Sequence, residues 1–513
     1  MNHFKINCLN TVFVLFFYLS SSASANVIDY FNTIKADPNA LYAFFKRMPK
    51  GGELHYHLAG GAYPETMLAL VREGQYCINP KTLSVDKLTQ RCHDDASRIT
   101  THAKLYNNTL RAWSMKDFIP GQESGHDHFF ASFFKFIPLV RGYTAALLAD
   151  TMQRAANQHE LYMEIIISPD IQRLSHFESL IKNTTGWKEK KRLLLSNKPF
   201  QQNITQSVSH TSQLLTDARK ILGCDTHSQK EVCRLTIKFQ YEVHREQPIN
   251  PVFVEALFSF AAASQSNDIV AVNLVQAEDG PISLRDYHMH MALFKFLHHT
   301  WSSVHVALHA GELTPKVTTE ENLQFHIHAA IFTGQAERIG HGSDIAYENN
   351  AKDLLHLMAT RPVPVEISLT SNDKILNLKG KTHPINYYLA NYVPVVLSTD
   401  DEGILRTDLT QQYVNAVINQ GLDYPTLKAI NRNALTFSFL PGKSIWLDPV
   451  KQIILPACQN LFTKACEQAV KGSTKAMLQF ALEKKLYQFE GQYSQQVLIS
   501  HIRQPKIPAS TKN

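Results

Sequence analysis

Along the chain, short apolar runs alternate with longer stretches whose apolar positions recur at helical spacing. Eight of the runs read as strands: Glu53–Leu58, Tyr162–Ser168, Thr236–His244, Asp268–Val275, Ser303–His309, Glu337–Gly340, Val363–Ser368 and Val393–Ser398. Most are rich in Val, Ile and Leu, the pattern of strands buried on both faces. Amphipathic stretches such as Pro251–Ser264 and Ile282–Leu297 lie between them. Eight strand-then-helix units predict an α/β fold, a (β/α)8 TIM barrel. An open doubly wound sheet is the alternative, and the count of eight disfavours it.

Two connections are longer than a plain barrel needs: about 61–112 after the first strand and about 170–235 after the second. Loops of that length are usually functional or form small subdomains. From Ile404 onward the pattern is mostly helical, and Lys506–Asn513 is expected to fray. The N-terminus reads as a secretory signal over residues 1–25. Lys5 gives it positive charge, Thr11–Leu19 a short apolar stretch, and Ala23-Ser24-Ala25 a small-residue cleavage site. An uncleaved anchor is the alternative, and the small-residue site argues against it. The expected organisation is therefore a signal peptide (1–25), a barrel domain (26–440) and a C-terminal helical extension (441–513), with a secreted or periplasmic location. No later stretch reaches ~18 uninterrupted apolar residues, so no membrane anchor is expected.

Composition adds to this picture. Hydrophobic residues make up 44% and charged residues 19%, enough for a large core. A net charge of +6 is mild for 513 residues. It does not suggest a nucleic-acid partner, which calls for clustered Lys and Arg. The sequence leaves oligomeric state open and admits a homodimer. Cys8 leaves with the signal, and six cysteines remain in three local pairs: Cys77 with Cys92, Cys224 with Cys233, and Cys458 with Cys466. Fifteen connectivities are open to six cysteines. Local pairing is the simplest, because each pair brackets a short, mostly polar stretch. The spacings do not match a cysteine zinc site.

Candidate chemistry lies among the histidines. H-x-H occurs four times: His55/His57, His126/His128, His288/His290 and His326/His328. On a strand, residues i and i+2 point to one side and can share an ion. On a helix they diverge by about 200°. Of the four pairs, His55/His57 is placed on a strand, so it is the candidate chelator. Three other strand ends carry reactive groups: His309-Ala310-Gly311-Glu312, Arg338-Ile339-Gly340-His341-Gly342 and Ser398-Thr399-Asp400-Asp401. Imidazoles with a carboxylate suit zinc. A barrel gathers the ends of its strands on one face.

Together these residues resemble the adenosine deaminase family. The matching motifs are MPKGGELHYHLAG (48–60), HAGE (309–312), RIGHG (338–342) and STDD (398–401). The secreted branch, the adenosine deaminase-related growth factors, is the closer likeness. It shares the export signal, the cysteine-bracketed insertion, Trp113, LYMEI (161–165), SLRDY (283–287), and SND (371–373) followed by HP (383–384). The likeness spans about residues 45–440 and implies zinc-dependent hydrolytic deamination of adenosine, and of 2′-deoxyadenosine, to inosine and ammonia. By position, His55, His57, His309 and Asp400 resemble ligands of one zinc ion. Glu312 resembles the proton donor to purine N1, which requires it to be protonated. His341 resembles the group that orients or deprotonates the attacking water. Asp401 resembles the partner of purine N7 and of that water. The implied partner is a small purine nucleoside. Two departures concern recognition. Leu58-Ala59 stands where many relatives place an acid that meets the ribose; Glu65 is either its substitute or a helix-start residue. Gln276 stands near a glycine that approaches the purine, where it either hydrogen-bonds the base or narrows the pocket. Trp113 and Phe118 are either an aromatic wall over the sugar or ordinary packing. Deamination of another 6-aminopurine or modified nucleoside, and non-catalytic purine binding or signalling, are the competing readings.

Overall fold

The computed structural model describes residues 27–73, 76–87, 99, 102–168 and 174–502. The expected signal segment, Cys92 and Lys506–Asn513 lie outside them. Eight parallel strands form one sheet: β1 (Glu53–His57), β2 (Tyr162–Ile167), β3 (Thr236–His244), β4 (Ile269–Val275), β5 (His305–Ala310), β6 (Arg338–His341), β7 (Val365–Ile367) and β8 (Val395–Leu397). Each pairs in parallel with the next in sequence. The ring closes at its C-terminal rim. His57 N–H donates to Asp400 O at 3.1 Å, and Asp400 N–H donates to His55 O at 3.2 Å. The fold is thus the (β/α)8 barrel that the strand count predicts.

The strands hold their places because both faces are covered. β2 is buried along its whole length, and β4 to β8 nearly so. The helix Ile249–Ala263 is apolar almost throughout and packs between the sheet and its neighbours. Proline at the first turn starts Pro38–Arg47, Pro281–His298 and Tyr424–Thr436, where its missing N–H has no intrahelical partner to lose.

The first insertion has a core of its own. It contains the helix Pro64–Glu73, a hairpin of Tyr76–Ile78 with Val85–Lys87, and the helix Ala103–Ala112. The 33-residue helix Gly125–Asn157 then leads into β2, broken at Tyr143 five residues after Pro138. Trp113 is completely buried here. Its indole N–H donates to Leu83 O at 2.7 Å, and its ring packs on Phe136. The second insertion is helical, chiefly Trp187–Ser196 and Lys198–Ile221, and is closed by Cys224–Cys233. The tail adds the helices Leu409–Ile418 and Tyr424–Thr436 and a small hairpin. It continues through a loop closed by Cys458–Cys466 to the helix Thr474–Ile502. Phe489 and Tyr493 of that last helix pack on Phe44, and Tyr493 on Tyr30, which ties the two ends of the described chain together.

Candidate metal and acid–base site

His55, His57, His309 and Asp400 each offer one ligand atom, and these atoms all lie within 4.8 Å of one another. The arrangement follows from the strands. His55 and His57 are two apart on β1 and project to the same side, His309 sits on β5, and Asp400 follows β8. His57 Nε2 and His309 Nε2 approach to 3.1 Å, and Asp400 Oδ1 lies 3.5 Å from both His55 Nε2 and His57 Nε2. A tetrahedral ion with bonds of about 2.0–2.1 Å needs ligand atoms roughly 3.3 Å apart, close to these separations. His55 Nε2 is buried without a hydrogen-bond partner. Buried polar atoms are rarely left so, and a ligand bond is one way to satisfy this one. Three imidazoles and a carboxylate therefore fit a divalent transition metal.

Each of the four is held from behind. His55 Nδ1 meets Glu366 Oε2 at 2.8 Å, and His309 Nδ1 meets Asn273 Oδ1 at 2.9 Å. His57 Nδ1 faces Glu242 Oε2 at 3.7 Å, and Asp400 Oδ2 accepts from Ser371 Oγ at 2.7 Å. Such partners fix the ring orientation and tautomer of a ligating histidine. They are themselves linked through the barrel. Glu366 accepts from Arg338, Arg338 donates also to Glu164, Glu164 accepts from Gln240, and Gln240 accepts from Asn273. At the other end of the ring, Glu53 accepts from both the main chain and the hydroxyl of Thr399, which sets the turn that carries Asp400. Two motif glycines make room. A Cβ on Gly340 would lie 2.7 Å from His55 Cε1, and one on Gly60 would overlap the Asp401 carboxylate.

Charge is polarised across this site. Burial works against a protonated His55, but the carboxylates of Asp400 and Glu366 outweigh it and push the group up to about 10. The same surroundings hold Asp400 far below the ordinary carboxylate range, against the effect of burial. The carboxylates thus favour a positive charge at His55, whereas burial and the neighbouring imidazoles push His309 well below its ordinary value. Beside it, burial raises Glu312 to about 8, with Asp400 and Glu278 adding to the rise. Glu312 Oε1 is 3.7 Å from His341 Nδ1. Burial lowers His341 to about 3. Asp401 is raised well above its usual range by burial and by Asp400, and its Oδ1 has no partner. Glu278 accepts from the main-chain N–H groups of Gly311 (3.0 Å) and Glu312 (2.9 Å) and so anchors the turn that presents Glu312.

The structure thus gathers His55, His57, His309, Asp400, Glu312, His341 and Asp401. It does not treat the expected recognition residues alike. Trp113 offers no free face to a sugar, since packing buries it completely. Gln276 lies at the rim with a left-handed backbone (φ 79°), the conformation a glycine takes without strain. Its Oε1 accepts from Glu246 N–H at 2.8 Å, so the side chain is turned onto the neighbouring loop. Glu65 is a helix-start residue paired with Arg406 at 2.9 Å. Phe118 packs partly buried in the insertion's core. The other H-x-H pairs split as helical geometry requires: His290 and His326 are buried, whereas His288 and His328 are exposed. His126 and His128 fall in the first turns of Gly125–Asn157, where His126 binds Asp279 and His128 faces Glu123.

Several supporting residues escaped the motif-based reading. Glu366, Glu164 and Glu242 are single carboxylates inside apolar strands. That is a legible signal, because a buried charge must be paired. Asn372 and His383 fall in the quoted SND and HP motifs, but nothing in those motifs ties the two residues to each other or to His341.

Comparison with known proteins agrees with this geometry. The family profile described as adenosine deaminase matches residues 144–445, more than half of the chain. Among characterised relatives, the chain is 35% identical over 152 residues to the aminodeoxyfutalosine deaminase of Streptomyces coelicolor, covering 29% of this chain and 36% of that protein. It is 30% identical over 154 residues to the N6-methyl-AMP deaminase of Danio rerio (29% and 39%) and over 155 residues to the adenosine deaminase of Plasmodium gallinaceum (30% and 40%). The chain spans less than half the length of each of these relatives. Similar solved structures include the N6-methyl-AMP deaminase of Arabidopsis thaliana, with a TM-score of 0.48, 18% identity, and 80% of this chain and 96% of that one covered. The adenine deaminase of Arthrobacter aurescens gives a TM-score of 0.49 and 15% identity, with 77% and 94% covered. The profile takes in β2 to β8 with His309, Glu312, His341, Asp400 and Asp401, and β1 brings His55 and His57 to the same rim; the chain belongs to the adenosine deaminase family.

Proposed function

We propose that this protein hydrolytically deaminates adenosine, and 2′-deoxyadenosine, to inosine and ammonia with one zinc ion per chain. The observation that carries the reading is the placement of Glu312, a largely enclosed carboxyl that its surroundings push up, beside three imidazoles and a carboxylate that fit a metal. His55, His57, His309 and Asp400 would hold the ion, which would supply Lewis acidity and make water a nucleophile near neutral pH. Glu312 is kept protonated and hands its proton to N1 of the purine as the oxygen of water bonds to C6. His341 orients or deprotonates that water. Asp401, buried beside Asp400, takes the water and purine N7 as partners. The water gives up both its protons, one as its oxygen bonds to C6 and one from the resulting C6 hydroxyl; one restores Glu312, the other passes to the amino group, and the C6–N bond breaks to release ammonia.

Zinc-loaded protein should lower the ultraviolet absorbance of adenosine as inosine forms. Silence on adenosine, 2′-deoxyadenosine and other 6-aminopurines would overturn the reading. The panel includes N6-methyl-AMP and aminodeoxyfutalosine, because relatives bear those names and Gln276 alters the rim near the base. Glu312→Gln should retain purine binding while turnover falls ~10²-fold or more. The likeness to the secreted branch, the Cys224–Cys233 and Cys458–Cys466 bridges, and the expected signal support an exported protein.

A further inference from the structure

A chain of hydrogen bonds, buried from end to end, runs from one main-chain N–H to His341. Ile385 N–H lies 3.1 Å from His383 Nδ1. A main-chain N–H can only donate, so His383 Nδ1 accepts and the ring proton sits on Nε2. His383 Nε2 is 2.9 Å from Asn372 Oδ1, which accepts it and thereby fixes which way the amide points. Asn372 Nδ2 then faces His341 Nδ1 at 3.3 Å. An amide NH2 has no lone pair to offer, so His341 Nδ1 accepts and the proton of the neutral imidazole sits on Nε2. His383, Asn372 and His341 are 4%, 0% and 1% exposed, which leaves water little access to reverse any link. Burial also pushes His383 down to about 4, so its Nδ1 is free to accept at neutral pH. His341 Nε2 is buried without a partner, and its ring stands 5.0 Å from that of His55 and 5.2 Å from that of His309.

We infer that Asn372 and His383 are positioning residues that lock His341 in the tautomer carrying its proton on Nε2, so that His341 meets the reacting oxygen as a hydrogen-bond donor. An imidazole held this way stabilises negative charge growing on that oxygen. It cannot take a proton from water through the same nitrogen. Of the two roles open to His341, orienting the water or deprotonating it, the relay selects the first. The identity of the oxygen rests on the proposed deamination; the tautomer does not.

The test reverses the relay. His383→Glu replaces the Nε2 donor with an acceptor, which turns the Asn372 amide and offers its oxygen to His341 Nδ1. Asn372→Asp does the same directly, and His383→Gln keeps an amide donor in place. Full-length, zinc-loaded protein labelled with 15N-histidine is read by long-range proton–nitrogen correlation, with His341 assigned by loss of its signals in His341→Asn. Wild type and His383→Gln should show a protonated Nε2 and a bare Nδ1 at His341, and the two acidic variants a protonated Nδ1. Turnover should fall at least tenfold in Asn372→Asp and His383→Glu with KM within about threefold, and His383→Gln should recover most of the loss. A protonated Nδ1 in the wild type would overturn the inference, as would acidic variants that leave the His341 signals unchanged. If His383→Glu does not fold, Asn372→Asp carries the test alone. A wild type that deaminates no purine but shows Nε2–H at His341 defeats the proposed function and leaves the relay standing. An active wild type with Nδ1–H does the converse.

Discussion

Glu366→Gln is the perturbation that most sharply separates a metal site from a cluster of buried histidines. Glu366 is fully buried and splits its two oxygens, Oε1 to Arg338 Nε at 2.5 Å and Oε2 to His55 Nδ1 at 2.8 Å. Glutamine has the same shape but only one acceptor end. Its NH2 cannot face the guanidinium, which only donates, so the amide oxygen goes to Arg338 and the NH2 to His55. His55 Nδ1 must then accept, and its proton moves to Nε2, the atom that faces Asp400 Oδ1 at 3.5 Å. A nitrogen that carries a proton cannot ligate. Loss of such a supporting group weakens metal binding 10–100-fold, equivalent to about 1.4–2.8 kcal/mol. Arg338 keeps Glu164 at 2.5 Å, so the barrel should survive. Competition against a chromophoric chelator measures the zinc affinity, and circular dichroism checks the fold. Unchanged affinity in a folded Glu366→Gln would refute the orientation argument.

Other predictions concern the scaffold. Gly340→Ala drives a methyl to 2.7 Å from the His55 ring and should cost both zinc binding and thermal stability, measured on the same sample by chelator competition and calorimetry. His290 is fully buried with neither ring nitrogen partnered, and burial lowers it to about 4. The unfolded state then binds more protons between about pH 6.5 and 4, so the neutral ring's contribution is full above that window and is lost as pH falls through it. His290→Leu removes this linkage and should raise stability at pH 5 relative to wild type by about 2 kcal/mol more than at pH 8. Denaturant unfolding at the two pH values reads the difference, and an equal effect at both would contradict it.

The barrel was legible because a strand buried on both faces is a short apolar run with no polar alternation to confuse it. Thr236–His244 is recovered to the residue, and the other seven to within one or two positions. That His55, His57, His309 and Asp400 come together was legible for a related reason: strand periodicity and barrel topology together say where a strand-end side chain goes. The supporting shell was not. Asn372 reaches His383 and His341 through contacts that link a helix start, a turn and a strand end, and no periodicity connects them. Trp113 shows the opposite failure. An aromatic residue in an insertion is equally suited to a ligand wall or a core, and only the packing around Leu83 and Phe136 decides for the core.

The proposed function places one ion at the meeting point of β1, β5 and the turn after β8. Anomalous diffraction at the zinc absorption edge, on crystals of zinc-loaded protein, tests it most directly. The expected result is a single strong peak within about 2.0–2.2 Å of His55 Nε2, His57 Nε2, His309 Nε2 and an Asp400 carboxylate oxygen. A peak elsewhere, or no peak in protein that turns over adenosine, would contradict the account.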